Sequence, residues 1–270
     1  MIFFYFCILA SAAAVVYLFT AAEVTVLGAL GVFALGFLGA NLLFVLLFTV
    51  NAFCRRADWP IERQSRLCRW ICVSVCEWLC GYAGMTPILT GLDKLPRGPF
   101  LFVSNHRSGF DPLLTIGKLK DHNLMFVSKP SNLALPLVGP TAISAGCLPI
   151  DRENDRAALR SILAAADYLK RGVCSVGIYP EGTRSRTGEL GEFHAGSFKI
   201  AQKAGVPLAI CCVRGTERVQ KLPFFGHPRV ELEVLEVVPV EAVNSYKTRE
   251  LSDYARLRIQ SALLKKEQAE

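Results

Sequence analysis

His106 and Asp111 stand with four residues between them inside Val103–Leu114, VSNHRSGFDPLL. Imidazole is the side chain whose ordinary proton affinity lies nearest neutral pH. A carboxylate bonded to one ring nitrogen fixes the tautomer and leaves the other nitrogen as a general base. The loop Arg107–Phe110 is short enough to fold Asp111 back onto His106, and the pair then predicts removal of a proton from a hydroxyl. Set against this is a plainer reading, in which Asp111 before Pro112 is only a helix cap and His106 only a loop residue. The segments that follow decide between the two.

Two of them carry arginine just past an apolar run. Gly146–Arg152 (GCLPIDR) ends on Arg152, and Tyr179–Ser185 (YPEGTRS) carries Glu181, Gly182, Thr183 and Arg184. A guanidinium offers paired N–H donors matched to phosphate oxygens. Thr183, Ser185 and amides near Gly182 add donors, and Glu181 orients the arginines or accepts a substrate hydroxyl. Arg107, Lys129, Lys199 and Arg214 read individually as surface charges. His122, His194 and His227 have no acidic partner in a comparable frame.

These residues need a frame that brings them to one rim. Apolar runs at Pro99–Val103, Leu124–Val127, Cys147–Ile150, Val173–Ile178 and Leu208–Val213 alternate with helical patterns, which predicts an α/β fold. Its sheet is mostly parallel and flanked by helices, and ligands bind outside the carboxyl ends of such strands. The clearest helix, Asp155–Arg171, lines Leu159, Ile162, Leu163, Ala166 and Leu169 on one face and stops at Gly172. Arg229–Val238 alternates apolar and acidic residues and is expected as an edge strand, and Thr248–Glu270 as a closing amphipathic helix.

The chain holds 270 residues, 52% of them hydrophobic, and the excess sits at the start. Met1–Ala22 and Val24–Cys54 carry no charge, and each is long enough to cross a bilayer, which takes ~17–25 residues. A cleaved signal peptide is the rival for the first run, but no basic segment precedes it. The division expected is a hydrophobic membrane-anchoring hairpin over 1–54, an amphipathic interfacial helix and linker over 55–90, and one catalytic domain over 91–270. Gly28, Gly31, Gly36 and Gly39 would let the hairpin helices approach closely. Arg55, Arg56, Arg63, Arg66 and Arg69 follow the second run, so the domain is expected to face the cytoplasm from the cell (inner) membrane. A hairpin that dips into one leaflet fits the same residues. The net charge of +7 then suits an anionic membrane surface or a phosphate-bearing substrate, and no nucleic-acid motif competes. Four of the ten cysteines, Cys68, Cys72, Cys76 and Cys80, recur as one helical stripe. Such a stripe cannot close a tetrahedral metal site and reads as a small-residue packing face.

Taken in order, NHRSGFD, GCLPIDR, YPEGTRS and GVPLAI resemble the four motif blocks of the glycerolipid acyltransferase family, and FHAGSFKIA resembles the segment between its third and fourth blocks. The resemblance covers about Gly91 to Thr216, and the hydrophobic start is similar to the anchor of bacterial members. It implies transfer of a fatty acyl group from acyl-CoA or acyl carrier protein to the sn-2 hydroxyl of 1-acyl-sn-glycerol 3-phosphate (lysophosphatidic acid). The product is phosphatidic acid, and the thioester is a co-substrate, with no cofactor and no metal. It implies His106 as base, Asp111 as its orienting partner, and Arg152, Glu181, Gly182, Thr183 and Arg184 as acceptor-binding residues. Backbone amides of Arg107–Gly109 are expected to face the oxyanion. Other acceptors fit the same blocks: a lysophospholipid, a lyso-ornithine lipid or glycerol 3-phosphate. A non-catalytic membrane lipid-binding protein and a metal-dependent hydrolase are the alternatives from other classes.

Overall fold

The structure is a computed structural model that describes residues 2–21, 25–53, 66–136, 138–151, 154–185, 189–219 and 227–267. Two uncharged helices, α1 (Ile2–Ala21) and α2 (Val26–Phe53), pack side by side. Within α2, Val26–Val50 is long and apolar enough to cross a membrane, and most of it is exposed, which is what lipid contact requires. Of the four glycines expected to bring these helices together, Gly36 does so: a side chain there would meet Ser11 Oγ at 3.3 Å. Gly31 and Gly39 have nothing within 4 Å.

Helix α3 (Arg66–Tyr82) is amphipathic and turns its cysteine stripe inward, with Cys68, Cys72, Cys76 and Cys80 all buried. It meets the anchor through Asn41. The Asn41 side-chain oxygen accepts from Trp78 Nε1 at 3.0 Å and from the Tyr82 hydroxyl at 2.8 Å, and Phe44 packs on the Trp78 ring. A polar group inside an apolar contact is tolerated there because every donor finds an acceptor.

The remaining elements follow as β1 (Thr86–Thr90), β2 (Leu101–Ser104), α4 (Phe110–Lys118), β3 (Leu124–Ser128), α5 (Pro130–Leu133), α6 (Val138–Ser144) and β4 (Leu148–Pro149). Next come α7 (Asp155–Lys170), β5 (Ser175–Ile178), α8 (Lys199–Ala204), β6 (Leu208–Arg214), β7 (Arg229–Val238), α9 (Val240–Ser245) and α10 (Thr248–Glu267). The strands form one seven-stranded sheet in the order β1-β7-β6-β2-β5-β3-β4. All pairings are parallel except β6 with β7. Strand β2 has its four residues buried, as a central strand covered on both faces must be.

One expectation about the sheet is corrected. Strand β7 is not an edge: β1 pairs beyond it in parallel. Its acidic residues alternate outward but meet partners, Glu233 with Arg214 at 2.8 Å and Glu236 with Arg258 at 2.9 Å and the Tyr254 hydroxyl. The alternation that suggested a wet face marks a row of ion pairs under α10.

Three carboxyl ends now converge. β2 runs into His106, β5 into Tyr179–Ser185 and β6 into Gly215–Thr216, and β2 lies between the other two.

Candidate active site

Asn105 ends β2 by pairing sideways with β6: its amide donates to Val213 O at 2.8 Å, and its oxygen accepts from Val213 N at 2.9 Å. The chain then leaves the sheet, and His106 turns over Asp111. His106 Nδ1 lies 2.7 Å from Asp111 Oδ2, with the Asp111 side chain fully buried and His106 16% exposed. The same oxygen accepts the backbone N–H groups of Arg107 at 2.7 Å and Ser108 at 2.8 Å. The Thr216 hydroxyl donates to Oδ1. An acid that already accepts two amides makes Nδ1 the protonated ring nitrogen and leaves Nε2 as the base.

The ring is also held face-on. Tyr179 stacks on His106 at 4.2 Å and 10°, and Phe126 stacks on the other side of Tyr179 at 4.9 Å. Burial, followed by the negative charge of Asp111, pushes the Tyr179 phenol well up, so it is neutral in use. The stack fixes the plane of the imidazole while Asp111 fixes its rotation.

Glu181 supports the dyad from behind. It is 8% exposed, and its oxygens accept the backbone N–H of His106 at 2.7 Å and of Gly191 at 3.0 Å. Burial raises its carboxyl above the ordinary range, and those two amides pull it partly back. Each oxygen thus accepts a main-chain N–H, and through the His106 amide Glu181 braces the base. The Ser185 N–H closes the same corner on His106 O at 2.9 Å. Gly182 has φ +77°, the left-handed turn that a glycine takes without strain.

Thr183 and Arg184 stand exposed at the rim, and Arg184 lays its guanidinium over Gly109: a side chain there would meet it at 3.4 Å. The described structure therefore brings His106, Asp111, Glu181, Gly182, Thr183 and Arg184 to one place. Arg152 lies outside the described residues. The expected oxyanion role of the Arg107–Gly109 amides is corrected for Arg107 and Ser108, whose N–H groups are spent on Asp111. Sequence reasoning missed Thr216 and the ring role of Tyr179. Tyr179 opens the YPEGTRS block, and Gly215 before Thr216, at φ +80°, signals a sharp turn off β6.

His106 and Arg184 open into a cavity of about 1030 Å³. Its wall also carries apolar side chains, among them Leu79 from α3, Leu133 from α5, Val138 from α6 and Phe48 from the anchor helix α2. Lys129 is also on the wall. The wall thus joins the base and a guanidinium to hydrocarbon side chains, which suits an amphiphile whose polar head reaches the base. Among the described residues, no group of three or more His, Cys, Asp or Glu is placed to share an ion.

Residues 87–214 match the family model described as Acyltransferase. A 1-acyl-sn-glycerol-3-phosphate acyltransferase of Salmonella typhimurium is 32% identical over 175 residues, 64% of this chain and 71% of the relative. A chloroplastic 1-acyl-sn-glycerol-3-phosphate acyltransferase of Arabidopsis thaliana is 35% identical over 135 residues, which span only 36% of its own length. The crystal structure of the 1-acyl-sn-glycerophosphate acyltransferase PlsC from Thermotoga maritima superposes with a TM-score of 0.61 at 23% identity, covering 84% of this chain and 96% of that one. That last likeness establishes the shared fold.

Proposed function

The chain belongs to the acyltransferase family, and on that premise we propose that it acylates the sn-2 hydroxyl of 1-acyl-sn-glycerol 3-phosphate with a fatty acyl group from acyl-CoA or acyl carrier protein. The product is phosphatidic acid. The observation that carries this reading is the dyad itself, His106 Nδ1 at 2.7 Å from Asp111 Oδ2, with His106 on the wall of a largely apolar cavity. Relatives named for this activity in bacteria and chloroplasts support the acceptor.

In this mechanism His106 Nε2 takes the hydroxyl proton as the acceptor oxygen attacks the thioester carbonyl. The C–O bond forms, the C–S bond breaks, and the thiolate leaves with the proton from the imidazolium. Asp111 stabilises the charged ring in between without itself taking the proton. No acyl-enzyme is needed, because the base activates the acceptor directly. Arg184, with Thr183 and the Gly182 turn, binds the acceptor phosphate, and Glu181 positions His106. Arg152 is assigned the same phosphate from its place in the sequence. The tails of acceptor and product stay in the bilayer, which α2 enters, and the basic segment after α2 keeps the domain on the cytoplasmic side.

The test is a panel of donors crossed with acceptors on the purified full-length protein, read by thiol release and lipid mass. Lysophosphatidic acid should be the preferred acceptor over a lysophospholipid, a lyso-ornithine lipid or glycerol 3-phosphate. His106→Ala should remove turnover and leave thermal unfolding in place. Preference for another acceptor rejects the substrate assignment, and unaltered turnover in the variant rejects the base.

A further inference from the structure

The connection from β3 to β4 carries a surface that the reaction above does not use. Residues 130–150 hold no charged side chain, although Lys129 and Asp151 stand on either side of them. Where α5 gives way to α6 the chain turns a corner, and Ala134, Leu135, Pro136 and Val138 are exposed there, Leu135 at 49% and Val138 at 48%. Leu135 and Val138 also line the catalytic cavity, but Ala134 and Pro136 do not, so the apolar surface looks outward as well. Contiguous bare apolar residues of this kind mark an interaction surface.

The backbone of the corner suits a solvent that offers no hydrogen bonds. The N–H groups of Asn132 and Leu133 donate to Lys129 O, that of Ala134 to Pro130 O and that of Leu135 to Asn132 O. Val138 N–H donates to Pro136 O at 2.7 Å and Gly139 N–H to Leu135 O at 2.8 Å. Pro136 and Pro140 have no N–H to satisfy. Hydrocarbon admits main chain when such donors are paired within the segment.

The neighbouring helix names the partner. Helix α6 packs against α2, and the corner shares the cavity wall with Phe48, in the last turn of the membrane-length span Val26–Val50. The apolar surface of the anchor thus continues onto the catalytic domain, next to the end of the span and so near the edge of the hydrocarbon layer. We propose that the α5–α6 corner dips into the bilayer beside α2 and touches lipid tails, so that the catalytic domain itself grips the membrane at a second point. This contact is independent of which acceptor is acylated.

Photo-crosslinking from the full-length protein in nanodiscs of phosphatidylcholine and phosphatidylglycerol tests it without any turnover. p-Benzoylphenylalanine in place of Ala134 should form adducts with lipid tails, read by mass spectrometry. The same probe in place of Leu257, 58% exposed on α10, should form none above background. Pro136 is the second probe position and serves alone if the Ala134 variant fails to fold. With the probe at Pro136, Ala134→Asp sets a carboxylate in the same layer and should cut the lipid yield about tenfold or more. No lipid adduct from either corner position, adducts only with a second copy of the chain, or equal lipid capture from Leu257 would overturn the inference. Protein that captures lipid at the corner but transfers no acyl group would defeat the acyl-transfer reading and leave this contact standing.

Discussion

Glu181 Oε1 accepts the main-chain N–H of His106 at 2.7 Å, so the block that carries Arg184, the arginine proposed to bind phosphate, also carries the support of the base. Replacing Glu181 by Gln presents one carbonyl oxygen and one NH2 to two amide donors, and one of those amides then faces another donor. The expected result is a fall in kcat of ~10–100-fold with acceptor KM nearly unchanged, since a displaced base weakens the transition state and not the ground state. A rise in KM at constant kcat would return Glu181 to the substrate.

The same residue gives a pH signature. Burial raises its folded-state proton affinity above the ordinary value of 4.5, against the opposing pull of the Gly191 and His106 amides. Its contribution to stability is therefore fully present below that ordinary value and lost as pH climbs through the raised one. Thermal unfolding of wild type, compared with Glu181→Gln between about pH 4 and 7, should show the wild type losing ground with rising pH in that window. Parallel curves for the two proteins would refute the assignment.

Thr216 holds the oxygen of Asp111 that the histidine does not use. Thr216→Val is nearly isosteric but leaves that buried oxygen one donor short, at a cost of about 1–3 kcal/mol. It should lower the melting temperature and kcat together, and Thr216→Ser should restore both. Rescue failing in the serine variant would mean that the methyl packing, not the hydroxyl, is what matters.

Gly109 has ordinary helical backbone angles, φ −63° and ψ −14°, and the nearest atoms a Cβ there would meet among the described residues are those of the Arg184 guanidinium. Alanine would make van der Waals contact at 3.4 Å and should be tolerated. Leucine should displace the guanidinium and raise the KM for a phosphate-bearing acceptor ~10-fold, with folding intact. Equal behaviour of the two variants would place Arg184 outside acceptor binding.

Asn41→Leu removes the acceptor for both Trp78 and Tyr82. Two donors orphaned in a part-buried contact should cost about 1–3 kcal/mol each, seen as a lower unfolding temperature in detergent or nanodiscs. Asn41→Gln, longer by one methylene, should recover part of the loss. No change in either variant would show that the aromatic packing suffices.

Much of the core frame was legible because β2, β3, β5 and β6 are short apolar runs with no competing helical period. The site was legible because its blocks sit where those runs end. Strand β1 was not, since Thr86-Pro87-Ile88-Leu89-Thr90 is brief, contains a proline and precedes Gly91, all features of a connection. Its Pro87 is tolerated on an outermost strand. Strand β7 misled because alternation records which side chains are polar and not what they meet, and Arg214 and Arg258 lie far away in sequence. Thr216 stayed hidden for a related reason: its partner, Asp111, comes within reach only after β6 has paired with β2.

Phe48 belongs to the apolar anchor and at the same time lines the chamber where the reaction is set. The hairpin is thus part of the vessel and not merely its tether. A version shortened to the water-soluble portion would have a gap in its side, through which solvent enters and a lipid tail loses its track.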